Sequence, residues 1–363
     1  MLEAERVQAA VSKEHLARAL ARYAEASGAD VTPLGAGLIN DTFAVRGPSG
    51  RFVLQRVNPI FDPAIHHNIL AVTDRLAARG VDTPRLVPSR EGTPWIDLGP
   101  GGVWRLSTFV DGASFDVPTG AQQTRAAGAL VARFHGALAG MEHDFVGQRL
   151  GVHDTERHLE RLRAAVSTHR EHRLAAAVAR LADRVLAAAE ALPPLPRLAQ
   201  VIGHGDLKFN NLRFAGRSGR DAERPLCLID LDTLGPLQLA HELGDGWRSW
   251  CNPGGEEDGA ARFDLDLFAA AWSGYREASA APLPIDQRRA LLMSVEWISL
   301  ELSARFAADA LLESYFGWDS TRFATRGDHN LARARSQWAL HESTVAHRRE
   351  RARLLGIAPT EYP

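Results

Sequence analysis

The chain has 363 residues, 45% of them hydrophobic and 24% charged, with a formal net charge of −2. That balance excludes a disordered or fibrous protein and gives no global electrostatic pull toward nucleic acid or an anionic membrane. The length is too great for one compact core and suits two lobes sharing a cleft. The two cysteines, Cys227 and Cys251, lack metal-ligand spacing, so a disulfide framework is not expected and a reducing cytoplasm is the simpler setting. The opening MLEAERVQAA carries Glu3 and Glu5 and no apolar core, unlike a secretory signal. The stretch from Leu174 to Leu192 is broken by Arg180, Asp183, Arg184 and Glu190 and cannot span a bilayer.

In chain order, Lys13 to Ala26 has apolar positions at helical spacing and predicts an amphipathic helix. Two strand-like runs follow, Val31 to Leu34 and Thr42 to Val45, split by GAGLIND. The turn GPSG leads into RFVLQRV, which alternates as a strand should, so this part reads as a β-meander. A helix is expected from about Ala64 to Arg79, stopped by Gly80. Gly102 to Gly112 begins as a buried strand and ends in a turn. From Gly120 helical patterns dominate, including a long Ala/Arg/Leu stretch from Glu156 to Leu192 that PPLP ends. A strand-and-loop region from Val201 to about Pro236 interrupts them, and helices then run to about Leu354. The expected class is therefore α+β. A small antiparallel sheet lobe with one main helix spans 1–112, and a larger mainly helical lobe spans 113–363.

The strongest local signal is HGDLKFNN, His204 to Asn211, followed by LIDLD, Leu228 to Asp232. Phosphoryl transfer to a hydroxyl needs a carboxylate to orient the acceptor and take its proton, and oxygen ligands for a divalent cation. Asp206 suits the first task, while Asn211 and Asp230 suit the second as ligands of Mg²⁺. NLRF and LCLID read as paired strands, a hairpin that would return Asp230 toward Asn211. His204 is expected to brace the loop. Lys208 either neutralises charge on the transferred phosphoryl group or faces solvent. Asp232 either supports the metal ligands or is a solvated turn residue.

The HGDxxxxN loop followed by IDxD resembles the aminoglycoside phosphotransferase and choline kinase superfamily, which has a protein-kinase-like two-lobe fold. Within it the chain most resembles the N-acetylhexosamine 1-kinases, through GAGLINDTF, FVLQRVN, GHGDLKFNN, IDLDT, ELGDGWRS, ELSARF and DHNLARARSQ. The resemblance implies ATP and Mg²⁺ as cofactors. It places GAGLINDT where a phosphate-covering loop lies, with Gly35 and Gly37 letting amides approach phosphate and Asn40 and Thr42 in the same stretch. A kinase lysine is expected in the following strand, but Gln55 stands there with Arg56 beside it. Alternation puts those two on opposite faces. The partner glutamate of such a lysine is also missing, its place falling near His67. Arg105 to Gly112 resembles an interlobe hinge, whose backbone near Thr108 and Val110 would bond adenine; the alternative is a core strand entering a turn. Asp245 matches the acid that hydrogen-bonds the catalytic-loop backbone, although a buried helix cap would look the same.

The same resemblance makes Arg305, Tyr315 and Asn330 candidates for a sugar pocket, with Trp318 as a wall. Arg305 could instead pair with Glu301 along a helix, and Tyr315 could be core. Trp247 and Trp250 read as packing. The function these features imply is transfer of the ATP γ-phosphate to the anomeric hydroxyl of an N-acetylhexosamine, a small-molecule amino-sugar partner. One competing reading is a kinase for an aminoglycoside, amino alcohol or other hydroxyl compound; an aminoglycoside, being a cation, would want a carboxylate-lined cleft, against which Arg305, Arg333 and Arg335 argue. Another is a nucleotide-binding protein without catalysis.

Overall fold

The computed structural model describes residues 11–34, 39–149, 151–255 and 261–358. The chain divides into two compact units. The first comprises Met1–Asp111, Gly140–Leu150 and Cys227–Gly235, and the second Gly112–Ala139, Gly151–Leu226 and Pro236–Pro363. The architecture is mixed α+β, with an antiparallel sheet in the N-terminal region and a larger helical part after it.

The first unit opens with α1 (Lys13–Leu20), capped by Ser12, whose hydroxyl accepts the His15 N–H at 3.1 Å. The helix stops short of the expected Ala26. A separate 3-10 turn covers Ala24–Ala26, and the break carries Tyr23 into the core, where its hydroxyl reaches the Trp104 carbonyl at 3.3 Å. Then come β1 (Asp30–Pro33), β2 (Asp41–Gly47), β3 (Gly50–Val57), α2 (Ile65–Ala78), β4 (Leu86–Val87), β5 (Ile96–Asp97) and β6 (Val103–Thr108). They form one antiparallel sheet in the order β1-β2-β3-β6-β4, with β5 also on β6. Strand alternation gives the sheet two characters. Val45, Phe52, Leu54, Trp104 and Leu106 bury one face against Ala19 and Tyr23. On the other face, Thr42, Gln55 and Arg105 stand side by side, paired in register across β2, β3 and β6.

The remaining elements are α3 (Ala121–Leu138), α4 (Thr155–Thr168), α5 (Ala175–Ala191), β7 (Gln200–Gly203), β8 (Leu212–Phe214), α6 (Gly219–Ala222), β9 (Pro225–Leu228), β10 (Gly235–Gln238), α7 (Leu239–Trp250), α8 (Leu265–Ala278), α9 (Ile285–Leu312), α10 (Arg326–Ala346) and α11 (Arg348–Leu354). β7 pairs with β10, and β8 with β9. The stretch from Glu156 to Leu192 is two helices rather than one. Asp154 caps the first, and between them the His172 ring accepts the Leu174 N–H at 3.2 Å, a local bond that competes with the helical ladder. Among the described residues no helix is long and apolar enough to cross a membrane.

Candidate active site

In the second unit, the loop from His204 to Asn211 leaves β7 and is held by side chains of α7. Gly205 makes the turn at φ +79°, a conformation that L side chains rarely adopt. Glu242 then accepts the His204 N–H at 2.7 Å on one oxygen and the Gly205 N–H at 2.9 Å on the other. Asp245 accepts the Leu207 N–H at 3.0 Å, and Ser249 accepts the Phe209 N–H at 3.0 Å. Trp250 donates its indole N–H to the Leu207 carbonyl at 2.7 Å. Glu242, Asp245 and Ser249 are spaced three and four residues apart, so they share one helix face. The N–H groups of His204, Gly205, Leu207 and Phe209, and the Leu207 carbonyl, which would otherwise be buried unpaired, are satisfied in this way.

Within that frame the Asp206 carboxylate lies 3.1 Å from the Lys208 ammonium and accepts the Asn211 side-chain N–H at 3.2 Å. Asn211 also donates to the Asp206 carbonyl at 2.8 Å. Both bonds use its Nδ2, which leaves the amide oxygen as the end available to a cation. The His204 ring accepts the Asp206 N–H at 3.3 Å. His204, Asp206, Lys208, Asn211 and Asp245 therefore come together in one loop and its brace.

Glu242 and Ser249 escaped sequence reasoning, and Glu242 is the more consequential of the two. It is buried, yet its carboxyl is held below the ordinary carboxylate value. Burial pushes the other way, and the bond and charge of His135 outweigh it, helped by His204. His135, on α3, is in turn bonded to the Tyr275 hydroxyl on α8 at 3.0 Å.

In the first unit, the face carrying Thr42, Gln55 and Arg105 is a continuous polar network. Arg105 donates to the Gln55 side-chain oxygen, Oε1, from Nε at 3.0 Å and from a second nitrogen at 2.8 Å. Gln55 donates to the Thr42 hydroxyl at 3.2 Å. Arg105 forms a buried ion pair with Asp232, whose other oxygen accepts from Asn40 at 2.8 Å. Asn40 accepts the Asn58 N–H at 2.9 Å. Asp232 is therefore no solvated turn residue. Burial would raise its carboxyl, but the charge and bond of Arg105, with the Asn40 bond, hold it below the usual value.

Arg56 lies on the opposite face of β3, as alternation requires, and pairs with Asp41 at 2.7 Å. Asp230, exposed, adopts a left-handed backbone at φ 63° and ψ 65° at the head of a 3-10 turn, Leu231–Thr233. The Thr108 amide, a candidate for adenine, is instead donated to the Arg85 carbonyl at 2.9 Å, and the Thr108 hydroxyl accepts the Arg85 N–H at 3.0 Å. Val110 follows, half-buried, next to the end of the segment at Asp111. Gly35 and Gly37 lie outside the described residues.

The helices α9 and α10 organise the third group. Asp309, buried, accepts the N–H groups of Ser314, Tyr315 and Phe316 at 3.1, 2.9 and 2.9 Å and the Asn330 amide at 2.8 Å. Asn330 and Tyr315 are thus tied to one carboxylate. The Asn330 side-chain oxygen is buried without a hydrogen-bond partner. Arg305 sits over the Phe316 ring at 5.6 Å and 3.7 Å from Glu301. Glu301 also accepts the Thr155 hydroxyl at 2.7 Å and lies 3.3 Å from His153. Trp318 is half-buried in the same loop as Tyr315. Trp247 and Trp250 are fully buried.

An antiparallel sheet with one main helix, followed by a helical part that carries an HGD loop braced by a helix, is a kinase-like arrangement. Residues 30–278 match the phosphotransferase enzyme family, and the chain belongs to that family. Solved structures with the same fold include an amicoumacin kinase in complex with AMP-PNP, Ca²⁺ and Ami, at 16% identity and TM-score 0.61, covering 90% of this chain and 92% of that one. A microcompartment-associated aminopropanol kinase is similar at 17% identity and TM-score 0.61, covering 93% and 98%. A choline kinase from Cryptosporidium parvum Iowa II is similar at 12% identity and TM-score 0.55, covering 95% and 97%. At these identities the likeness is one of fold.

Proposed function

We propose that this phosphotransferase moves the γ-phosphate of ATP to a sugar hydroxyl, the anomeric hydroxyl of an N-acetylhexosamine, giving a sugar 1-phosphate. The observation that carries the reading is the Asp206 carboxylate, flanked by Lys208 at 3.1 Å and Asn211 at 3.2 Å in a loop whose amides are held by α7. Asp206 orients the acceptor hydroxyl and takes its proton as the bond to phosphorus forms. Lys208 offsets negative charge beside the transferred group. His204 and Asp245 keep the loop backbone in place.

The donor chemistry fits a hard divalent cation. Among the described residues no group of three or more His, Cys, Asp or Glu could hold a metal ion, which disfavours a self-contained transition-metal centre. Asn211 offers an amide oxygen and Asp230 a carboxylate, a sparse oxygen set of the kind Mg²⁺ completes with phosphate oxygens and water. When bound, the cation would neutralise the phosphates. The first unit is assigned to the nucleotide through Asn40, Thr42 and Gln55 on its polar face, Gly35 and Gly37 before β2, and the backbone at Val110; Arg56, on the other face of β3 and paired with Asp41, and the Thr108 amide, bonded to Arg85, are left out of it. On this reading 1–112 forms the nucleotide-covering lobe and 113–363 the catalytic one.

The state of the two buried carboxylates near Arg305, Tyr315 and Asn330 favours an acceptor without positive charge. Glu301 is occupied by His153, Thr155 and Arg305, and Asp309 by three backbone N–H groups and Asn330. Neither is left to meet an ammonium group. An ADP-release assay over a panel of N-acetylhexosamines, other sugars, aminoglycosides and amino alcohols tests the acceptor. Asp206→Asn tests the chemistry, since transfer should fall to background while the affinity for an ATP analogue is retained. Turnover at the wild-type rate in that variant would end the assignment.

A further inference from the structure

Asp230 has a left-handed backbone, a conformation open to Asp at small cost but one that its neighbours must hold if the carboxylate is to keep one direction. The two residues that follow, Leu231 and Asp232, are buried. Asp232 has both carboxylate oxygens engaged, one by Arg105 from β6 and the other by Asn40 at 2.8 Å. The Arg105 side chain is equally committed, with the remaining nitrogens of its fork on the Gln55 side-chain oxygen at 3.0 and 2.8 Å. Because Arg105 claims the Gln55 oxygen, the Gln55 N–H must point along the row toward Thr42, which it meets at 3.2 Å. His66, on α2, is buried and stacks on Trp95 with ring centroids 5.2 Å apart.

We infer that Arg105 and Asp232 are positioning residues, a buried ion pair that sets the backbone of the cation ligand Asp230 and fixes which end of the Gln55 amide faces the nucleotide. The inference rests on reading Asp230 as a ligand of the divalent cation. It replaces the strand-lysine and helix-acid pair that this chain lacks with an arginine on β6 and an acid two residues beyond the ligand. Neither group needs to touch nucleotide or metal. Their effect passes through the 230–232 backbone and through Gln55.

Mn²⁺ binding in the presence of ADP, followed by electron paramagnetic resonance, tests the pair without requiring turnover. Asp232→Asn and Arg105→Met should each weaken Mn²⁺ binding by about ten- to hundredfold, as loss of groups supporting a metal ligand does. Arg105→Lys should restore part of that loss, and the double variant should be no worse than the poorer single one. In kinetics, the KM for Mg²⁺ should rise while the KM for the acceptor stays put. Wild-type Mn²⁺ affinity in Asp232→Asn and Arg105→Met, with Asp230→Asn weakened, would overturn the inference alone. Undiminished affinity in Asp230→Asn would overturn the metal reading beneath it. Should Asp232→Asn fail to fold, Arg105→Lys decides, with wild-type affinity counting against the pair and weakened affinity for it.

Discussion

His135 stands 3.3 Å from Glu242, and the same Glu242 oxygen accepts the His204 N–H at 2.7 Å. One carboxylate thus joins a core histidine on α3 to the first amides of the HGD loop. The loop's shape is set by groups buried behind it.

Replacing Glu242 by Gln keeps the size but leaves one acceptor where two amides now bond. A buried N–H then goes unpaired, at a cost of about 1–3 kcal/mol. Urea unfolding should show that loss, and kcat should drop more than the KM for ATP changes. Unaltered urea midpoint and kcat would mean that the loop holds itself. The sign with pH also follows. The Glu242 carboxyl is held below its ordinary 4.5, so its contribution is present above that value and fades as pH falls through the lower folded one.

His66 makes a separate prediction about acid. Burial first, and then the charge of Arg105, lower its pKa from 6.5 to about 4. Between those values the unfolded chain binds a proton that the folded one refuses, so stability rises with pH across the window. The whole effect is about 3 kcal/mol, gained between pH 4 and 7. His66→Phe keeps a ring against Trp95 and removes the proton. Its urea midpoint should vary less over that range than the wild type's, and an equal slope would show that His66 titrates normally.

How far the sequence reached depended on distance along the chain. Within HGDLKFNN, Asp206, Lys208 and Asn211 lie five residues apart or less and do meet, because a loop that short leaves few alternatives. Asp245 was legible only through resemblance, whereas Glu242, three residues earlier on the same face, was passed over. Its partners lie thirty-eight and thirty-seven residues upstream, and no local pattern marks them. The clue was the spacing of Glu242, Asp245 and Ser249. Arg105 was missed for a related reason. Its place beside Gln55 and Thr42 exists only once β2, β3 and β6 are in register, and strand order is a tertiary fact. The helix expected through Ala26 failed because periodicity cannot tell a continuing turn from one that bends to bury Tyr23.

Asp309 should govern the acceptor side. Asp309→Asn places an N–H among five donors, loosening Tyr315, Phe316 and Asn330 together. If Tyr315 and Asn330 line the acceptor pocket as proposed, the KM for the acceptor should rise about tenfold, as loss of about 1.4 kcal/mol of binding implies, with the KM for ATP unchanged. An unchanged sugar KM would remove Tyr315 and Asn330 from the acceptor pocket.

Gly244 on α7 has no room for a side chain, since a Cβ there would lie 2.9 Å from Ser294 Cβ and 3.1 Å from Ile298 on α9. Eleven residues along that helix from Ser294 stands Arg305, about 16 Å away at the rise of an α-helix. One rod therefore packs against the helix that braces the HGD loop at one point and carries Arg305 at another. Sliding it to admit a bulkier molecule would drag the HGD loop out of alignment. If Arg305 lies in the acceptor pocket as proposed, that pocket can be reshaped only through side chains, with the rod itself left where it is.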